Sequence, residues 1–307
     1  VGEAIISSMF KSGQNGRIPI VAVTGTNGKT TTVRLISHLF TQNGLCVGMT
    51  NTDGVYVGGQ CIDTGDCSGP KSARNVLLHP DVDAAVLETA RGGVLREGLA
   101  FDRCDVAVVT NVGSGDHLGL NYITTVQDLA VLKRVIVQNV STTGVAVLNA
   151  TDPTVAHGQQ VPRLGHLFCR RQVPPGHGHA PRPGAGRGVC GKRPHRGQPR
   201  ADIAPKLPWP TFPSPWAAPL IPFQVENAMA SVAAAWALGL DWDTIRHGLA
   251  GFSNDADNAQ GRFNLFHVPR CHRDCRLWPQ PRRHGGPGAG GAGHARQTPL
   301  GGHQRCR

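Results

Sequence analysis

Lys29 and Thr30 stand at the head of a helical pattern, directly after Gly25-Thr26-Asn27-Gly28 and before Thr31. A glycine-containing turn of this kind lets backbone N–H groups approach phosphate oxygens, and the start of the helix adds further donors. Lys29 supplies a positive charge for the β- and γ-phosphates of a nucleoside triphosphate, and the Thr30 hydroxyl supplies a ligand for Mg2+. ATP and Mg2+ are the expected cofactors, bound by Gly25, Thr26, Asn27, Gly28, Lys29, Thr30 and Thr31. The strict phosphate-loop pattern has a further glycine five positions before Gly28, where this chain has Val23. An ordinary glycine-rich strand–helix turn is the alternative, and Lys-Thr at the helix start argues against it.

The surrounding elements fit that chemistry. Residues 18–24 are a short β-branched run that reads as a buried strand. After the loop, Val33, Ile36, Leu39 and Phe40 recur at helical spacing, and Gly44 stops the helix. Further strands are expected over 45–51, 82–87, 105–112 and 144–148, with a hairpin over 55–62 turned at Gly58-Gly59. Between the last two strands lies a helix with Val126, Leu129, Leu132 and Val135 on one face. Alternating strands and helices predict an α/β fold with a mainly parallel sheet. Glu88 and His117 then follow the carboxyl ends of two strands, where ligands of such sheets gather, so both can face the loop. A helix-capping Glu88 and a surface-loop His117 are the bland alternatives.

The loop text resembles the nucleotide signature of the Mur ligases and of folylpolyglutamate synthases, in which the shorter glycine spacing is normal. Over residues 17–153 the wording narrows: TDGVYVGG, GDCSGPKSAR, ETARGGVLREGLAFDRCDVAVVTNV and GDHLGL resemble the cyanophycin synthetase family. That resemblance implies Mg2+ binding by Glu88 and His117 beside Thr30, and carbamylation of Lys133 to hold a second Mg2+. It also implies adenine contact by Asn227 and γ-phosphate contact by Arg262, in Gly261-Arg262-Phe263-Asn264. Asn149-Ala150-Thr151-Asp152-Pro153 is similar to a closing motif of the family, departing from it at Thr151.

Composition divides the chain. Its net charge is +11, yet residues 1–160 hold eleven basic and thirteen acidic residues, so the excess belongs to the remainder. Only Pro19, Pro70, Pro80 and Pro153 of the 23 prolines lie in that first part. The nine cysteines form no regular framework, and Cys46, Cys61, Cys67 and Cys104 read as reduced thiols of a cytoplasmic protein. No apolar run reaches membrane-spanning length and nothing at the start reads as a signal peptide. His177, His179, Cys271, His272 and Cys275 lack zinc-site spacing, and the basic runs lack the interleaved aromatics of a nucleic-acid binder, so no nucleic-acid or membrane partner is expected.

The basic stretches have another reading. A codon string for residues 271–286 exists that, read one nucleotide later, encodes ATVIADYGHNPDAMA, and the Mur ligases carry a DYGHNP-like segment at this place. Similar shifts over 168–182 and 187–199 also give ordinary globular text. Residues of about 167–200 and 269–307 are therefore expected to be frameshifted translation, with no face to bury.

The expected organisation is a linker remnant over 1–16, following a lost upstream ATP-grasp half, and an ATP-binding central domain over 17–166. An irregular insert over 167–222, a return of the central domain over 223–265 and a disordered tail over 266–307 complete it. The expected function is an ATP-dependent carboxylate–amine ligase using Lys29 and Lys133 in catalysis, with little or no turnover from this polypeptide. By resemblance it joins arginine to the aspartate side chains of a polyaspartate primer, as a homo-oligomer when intact. The arginine preference rests on the resemblance alone. A folylpolyglutamate-type ligase, or a remnant that only binds nucleotide, is the alternative.

Overall fold

Strand β1 (Ile20–Thr24), the run that feeds the glycine turn, sits at the middle of the sheet with every residue buried. The computed structural model describes residues 2–9, 16–113, 118–119, 123–158, 165–168, 189–191, 222–252, 265–268 and 271–274. Helix α1 (Gly2–Met9) precedes the sheet, within the stretch expected to be linker. From β1 the chain enters α2 (Lys29–Gln42) and returns as β2 (Val47–Thr50). The hairpin β3 (Gly54–Val57) and β4 (Gln60–Thr64) follows, turned at Gly58 and Gly59 with φ +55° and +83°. Two successive positive φ values are what a tight hairpin turn needs, and glycine takes them without strain.

Next come α3 (Pro70–Leu77), β5 (Ala84–Glu88), α4 (Arg91–Glu97), β6 (Cys104–Val109), α5 (Val126–Gln138) and β7 (Val140–Asn149). After these the order is α6 (Pro153–Gly158), β8 (Gly165–Phe168), β9 (Val189–Gly191), α7 (Pro222–Ala237) and α8 (Trp242–Gly251). Two strands, β10 (Leu265–Val268) and β11 (Cys271–Asp274), pair antiparallel with each other. Among the described residues the large sheet has nine strands in the order β4-β3-β2-β5-β1-β6-β7-β8-β9, parallel from β2 through β8 and antiparallel at β3, β4 and β9. A mainly parallel α/β sheet is what the alternating pattern predicted.

Strand alternation divides the core into two layers. Val21, Val23, Val106, Val108, Val145 and Val147 point to the side covered by α2, α7 and α8. Ala22, Ala85, Leu87, Ala107, Val109, Ala146 and Leu148 point to the other side, against α3 and α5. A parallel sheet covered on both faces reads as continuous apolar runs, as these strands do. Burying each valine is worth about 1.5–3 kcal/mol relative to exposure, so the strands are held from both sides.

Two helix expectations need correction. The alanine-rich run over 223–240 reads in sequence as an amphipathic helix, whereas α7 is buried nearly all round, from Val225 through Ala235. It lies between α2 and α8 on one side and strands β6, β7 and β8 on the other, and its alanines allow that close approach. The Ser231 hydroxyl reaches the Thr32 carbonyl of α2 at 3.4 Å. Helix α5 buries Leu129, Ala130, Lys133, Ile136 and Val137, with Leu132 and Val135 only half-buried. Its inward face is centred on a lysine, which an apolar count cannot find. Within the stretches expected to be irregular, β9, β10 and β11 are short strands. The rest of 167–221 beyond β8, and of 269–307, lies outside the described residues.

Candidate active site

The loop between β1 and α2 is built by its neighbours. Thr26 and Asn27 do not point their backbone N–H groups at open space: Thr26 N donates to Asn111 O at 3.0 Å and Asn27 N to Asn111 Oδ1 at 2.9 Å. Asn111 Nδ2 and Thr110 Oγ1 both donate to Asn27 O, at 3.0 and 2.7 Å, and the Thr26 hydroxyl donates to Val112 O. A Cβ at Gly25 would fall 1.9 Å from Thr110 Oγ1, so only glycine admits this strap. Residues 110–112, at the end of β6, thus form a floor under the glycine loop.

That floor is itself held by the Asn149–Asp152 segment after β7. Asn149 Nδ2 donates to Thr110 O at 2.8 Å, and Val112 N donates to Asp152 Oδ2 at 2.8 Å. Thr154 N and Val155 N donate to Asp152 Oδ1, capping α6. Thr151 keeps its place in the motif by donating its N–H and hydroxyl to Asn149 Oδ1. The motif therefore acts through the floor, two steps from the loop.

At Gly28 the backbone turns left-handed, φ +85°, and α2 starts with no side-chain cap and no acidic residue in its first turn. The first N–H groups of a helix have no intrahelical acceptor, so they are available to an anion at this end. Asn227 of α7 covers Gly28 so closely that a Cβ there would meet its Oδ1 at 2.2 Å. Asn227 is 5% exposed and donates from Nδ2 to Gln224 Oε1 at 3.2 Å. The helix that sequence reading assigned to nucleotide contact thus rests on the loop itself.

The charged groups gather at the carboxyl ends of β1, β2 and β5. Thr30 Oγ1 donates to Glu88 Oε2 at 2.8 Å and lies 3.1 Å from Thr52 Oγ1. Lys29 folds over the loop, Nζ donating to Thr26 O at 3.1 Å and standing 3.9 Å from Glu88 Oε1. Glu88 is 2% exposed, a buried carboxylate compensated by that hydroxyl and that ammonium group. Two hydroxyls and a carboxylate are hard oxygen donors, and the set fits Mg2+. Glu88 caps no helix: Ala90 is the N-cap of α4 and has no side-chain bond.

Lys133, on α5, is 5% exposed. Burial pushes its amine down to about 7, and the positive charges of Lys29 and Arg91 push the same way. Lys29, Lys133, Arg91 and Glu88 thus belong to one electrostatic neighbourhood. Of the residues singled out from sequence, Gly25 to Thr31, Glu88, Lys133 and Asn227 come together here. His117 and Arg262 lie outside the described residues. Thr52, Arg91 and Asn111 went unnoticed in the sequence. Thr52 and Arg91 follow strand ends, and the rule that drew attention to Glu88 covers them equally. Among the described residues, no cluster of three or more His, Cys, Asp or Glu side chains is arranged to hold a metal. Cys46, Cys61, Cys67 and Cys104 are free thiols, and no described helix is long and apolar enough to cross a membrane.

Known proteins agree with this architecture. The Mur ligase middle domain profile matches residues 23–165. The cyanophycin synthetase of Synechocystis sp. is 41% identical over 278 residues, covering 89% of this chain and 31% of the relative. The chain therefore spans about a third of that relative's length. Among solved structures, a UDP-N-acetylmuramoyl-L-alanyl-D-glutamate–2,6-diaminopimelate ligase superposes with TM-score 0.56 at 21% identity, over 82% of this chain and 49% of that one. A bifunctional folylpolyglutamate synthase/dihydrofolate synthase, solved with Mn, AMPPNP and L-glutamate bound, superposes with TM-score 0.50 at 19% identity, over 82% of this chain and 61% of that one. The strand order around the glycine loop, the matched profile and the extent of identity agree: residues 23–165 carry a Mur ligase middle domain, and the chain is similar to a cyanophycin synthetase over 89% of its length.

Proposed function

We propose that the chain is the ATP-binding part of a carboxylate–amine ligase of the cyanophycin synthetase type. The observation that carries the reading is the 2.8 Å bond from Thr30, first turn of α2, to the buried Glu88 at the end of β5. It joins a phosphate-binding helix start to an acidic metal position across two neighbouring strands.

ATP fits the start of α2, which begins at Lys29 and opens with no side-chain cap and no acidic residue in its first turn. Mg2+ fits the oxygens of Thr30, Thr52 and Glu88, and when bound it supplies charge neutralisation for phosphoryl transfer. Lys29 holds the β- and γ-phosphates and draws off the charge that develops as the γ-phosphoryl departs. A carboxylate oxygen of the acceptor forms a bond to the γ-phosphorus while the bond to the β-phosphate oxygen breaks, giving ADP and an acylphosphate. The neutral amine then bonds to the acyl carbon, phosphate leaves with the electron pair of the C–O bond, and the ammonium proton passes to solvent.

The acceptor carboxylate is an aspartate side chain of polyaspartate, and the amine is the α-amino group of arginine. This assignment comes from the likeness to cyanophycin synthetases. Lys133 has the chemistry for carbamylation, because a nitrogen pushed down to about 7 is substantially neutral at physiological pH and open to CO2. His117 and Arg262 complete the proposed nucleotide and metal contacts.

Substrate-dependent ADP release tests the reading. With residues 167–200 and 269–307 restored in the alternative frame, ADP release is expected with arginine plus polyaspartate and not with dihydrofolate plus glutamate. The chain as it stands is expected to bind nucleotide with little turnover. Turnover of the restored chain with folate and glutamate would move the assignment to the folylpolyglutamate type.

A further inference from the structure

The acceptor in the proposed reaction is an anion that must approach a triphosphate, so a cation beyond Lys29 has to hold it. Among the described residues, Lys133 and Arg91 are the cations that share an electrostatic neighbourhood with Lys29, since Lys29 and Arg91 both act on Lys133. Lys133 is 5% exposed, so its amine is closed to an incoming peptide. Arg91 is partly exposed, permanently charged, and carries the planar fork that matches both oxygens of a carboxylate.

The fold fixes Arg91 at the end of the sheet that carries the glycine loop. It is the first residue of α4, three positions beyond Glu88, at the carboxyl end of the strand next to β1. The stretch leading into α4 is pinned, because Thr89 N donates to Val23 O at 2.8 Å and Ala90 N to Ser68 O at 3.1 Å. Gly93 lets α4 press against the start of α3: a Cβ there would stand 2.9 Å from both Gly69 Cα and Pro70 Cδ. Helix α4 also packs on α5, which carries Lys133. Arg91 is thus held on a rigid element beside the glycine loop, with part of its surface open to solvent.

We infer that Arg91 binds the acceptor carboxylate, an aspartate side chain or main-chain carboxylate of an acidic peptide, and orients it toward the phosphates held by Lys29. The assignment rests on the ligase reading above and adds to it a substrate-binding residue that neither the loop motif nor the metal set contains.

The test uses the full chain, its Arg91→Ala and Arg91→Lys variants, a fluorescent AMPPNP analogue with Mg2+, and a labelled triaspartate peptide as acceptor probe. Because the chain is strongly basic overall, the quantity read is the increment in peptide affinity that appears on adding Mg2+ and AMPPNP. The wild type is expected to show such an increment. Arg91→Ala should lose it by about tenfold and Arg91→Lys by a smaller factor, the charge being kept and the fork lost. Nucleotide affinity should stay within about twofold in both, which separates acceptor binding from a general structural role. A wild-type increment in Arg91→Ala, or an equal loss of nucleotide affinity, overturns the assignment while leaving the ligase reading intact. A wild type that binds nucleotide but never the peptide also overturns it. A wild type with no nucleotide affinity overturns the ligase reading and the assignment together.

Discussion

Lys133 shows how a single buried side chain carries an energetic cost. Its nitrogen is held near 7 against an ordinary 10.5, chiefly by burial and further by Lys29 and Arg91. The folded-state value lies below the unfolded one, so between about pH 7 and 10.5 the unfolded chain binds more protons. This residue's contribution to stability therefore rises with pH through that window, and at or below its lower edge the folded state bears the full cost of a buried charge. Lys133→Met keeps the stem and removes the charge. It should melt about 2–4 °C above wild type at pH 6, with the difference shrinking toward pH 9. Thermal denaturation of both proteins across that range checks this, and parallel pH profiles would show that the lysine is not the buried charge described. The same residue explains why the sequence misled about α5. Apolar spacing selected Val126, Leu129, Leu132 and Val135, whereas the buried face runs through Leu129, Lys133, Ile136 and Val137. A lysine turned inward by a site breaks the pattern on which periodicity depends.

At the level of elements, the strands were the most legible because their period is short and both faces are buried. The runs at 18–24, 82–87, 105–112 and 144–148 all became parallel strands, and Gly58-Gly59 became the hairpin turn. Helices α3 and α4 were not legible: each is a turn or two long, and Gly92-Gly93 removes any apolar period from α4. Helix α7 was visible as a helix but not as a fully buried one, since alanine is neutral to patterning and decisive only for packing distance. The packing of α8 on α2 depends on Gly248, where a Cβ would come within 2.6 Å of Leu39 Cδ2. Gly248→Val should push the two helices apart and destabilise the domain by roughly 1–3 kcal/mol. The urea midpoint should fall while MgATP affinity changes little, because Leu39 lies near the far end of α2 from the loop. Equal losses in both would mean that the α2–α8 contact is coupled to the loop.

For the whole molecule, a neutral-to-acidic first part is joined to a strongly basic remainder, and the candidate site belongs to the first apart from the cover supplied by Asn227. The floor at 110–112, the Asn149–Asp152 motif and the cover supplied by Asn227 link β6, β7 and α7 to the loop, although α7 lies about two hundred residues beyond it in sequence. The glycine loop was readable because its chemistry is local. The partners that shape it were not, because they meet only through the strand order β5-β1-β6-β7. The central claim is that this architecture binds MgATP through Lys29, Thr30 and Glu88. Isothermal titration of the chain with Mg2+ and AMPPNP, alongside Lys29→Ala, tests it most directly. The account predicts saturable one-site binding that requires Mg2+ and weakens by about tenfold or more in the variant. Undiminished binding in Lys29→Ala, or binding indifferent to Mg2+, would contradict it.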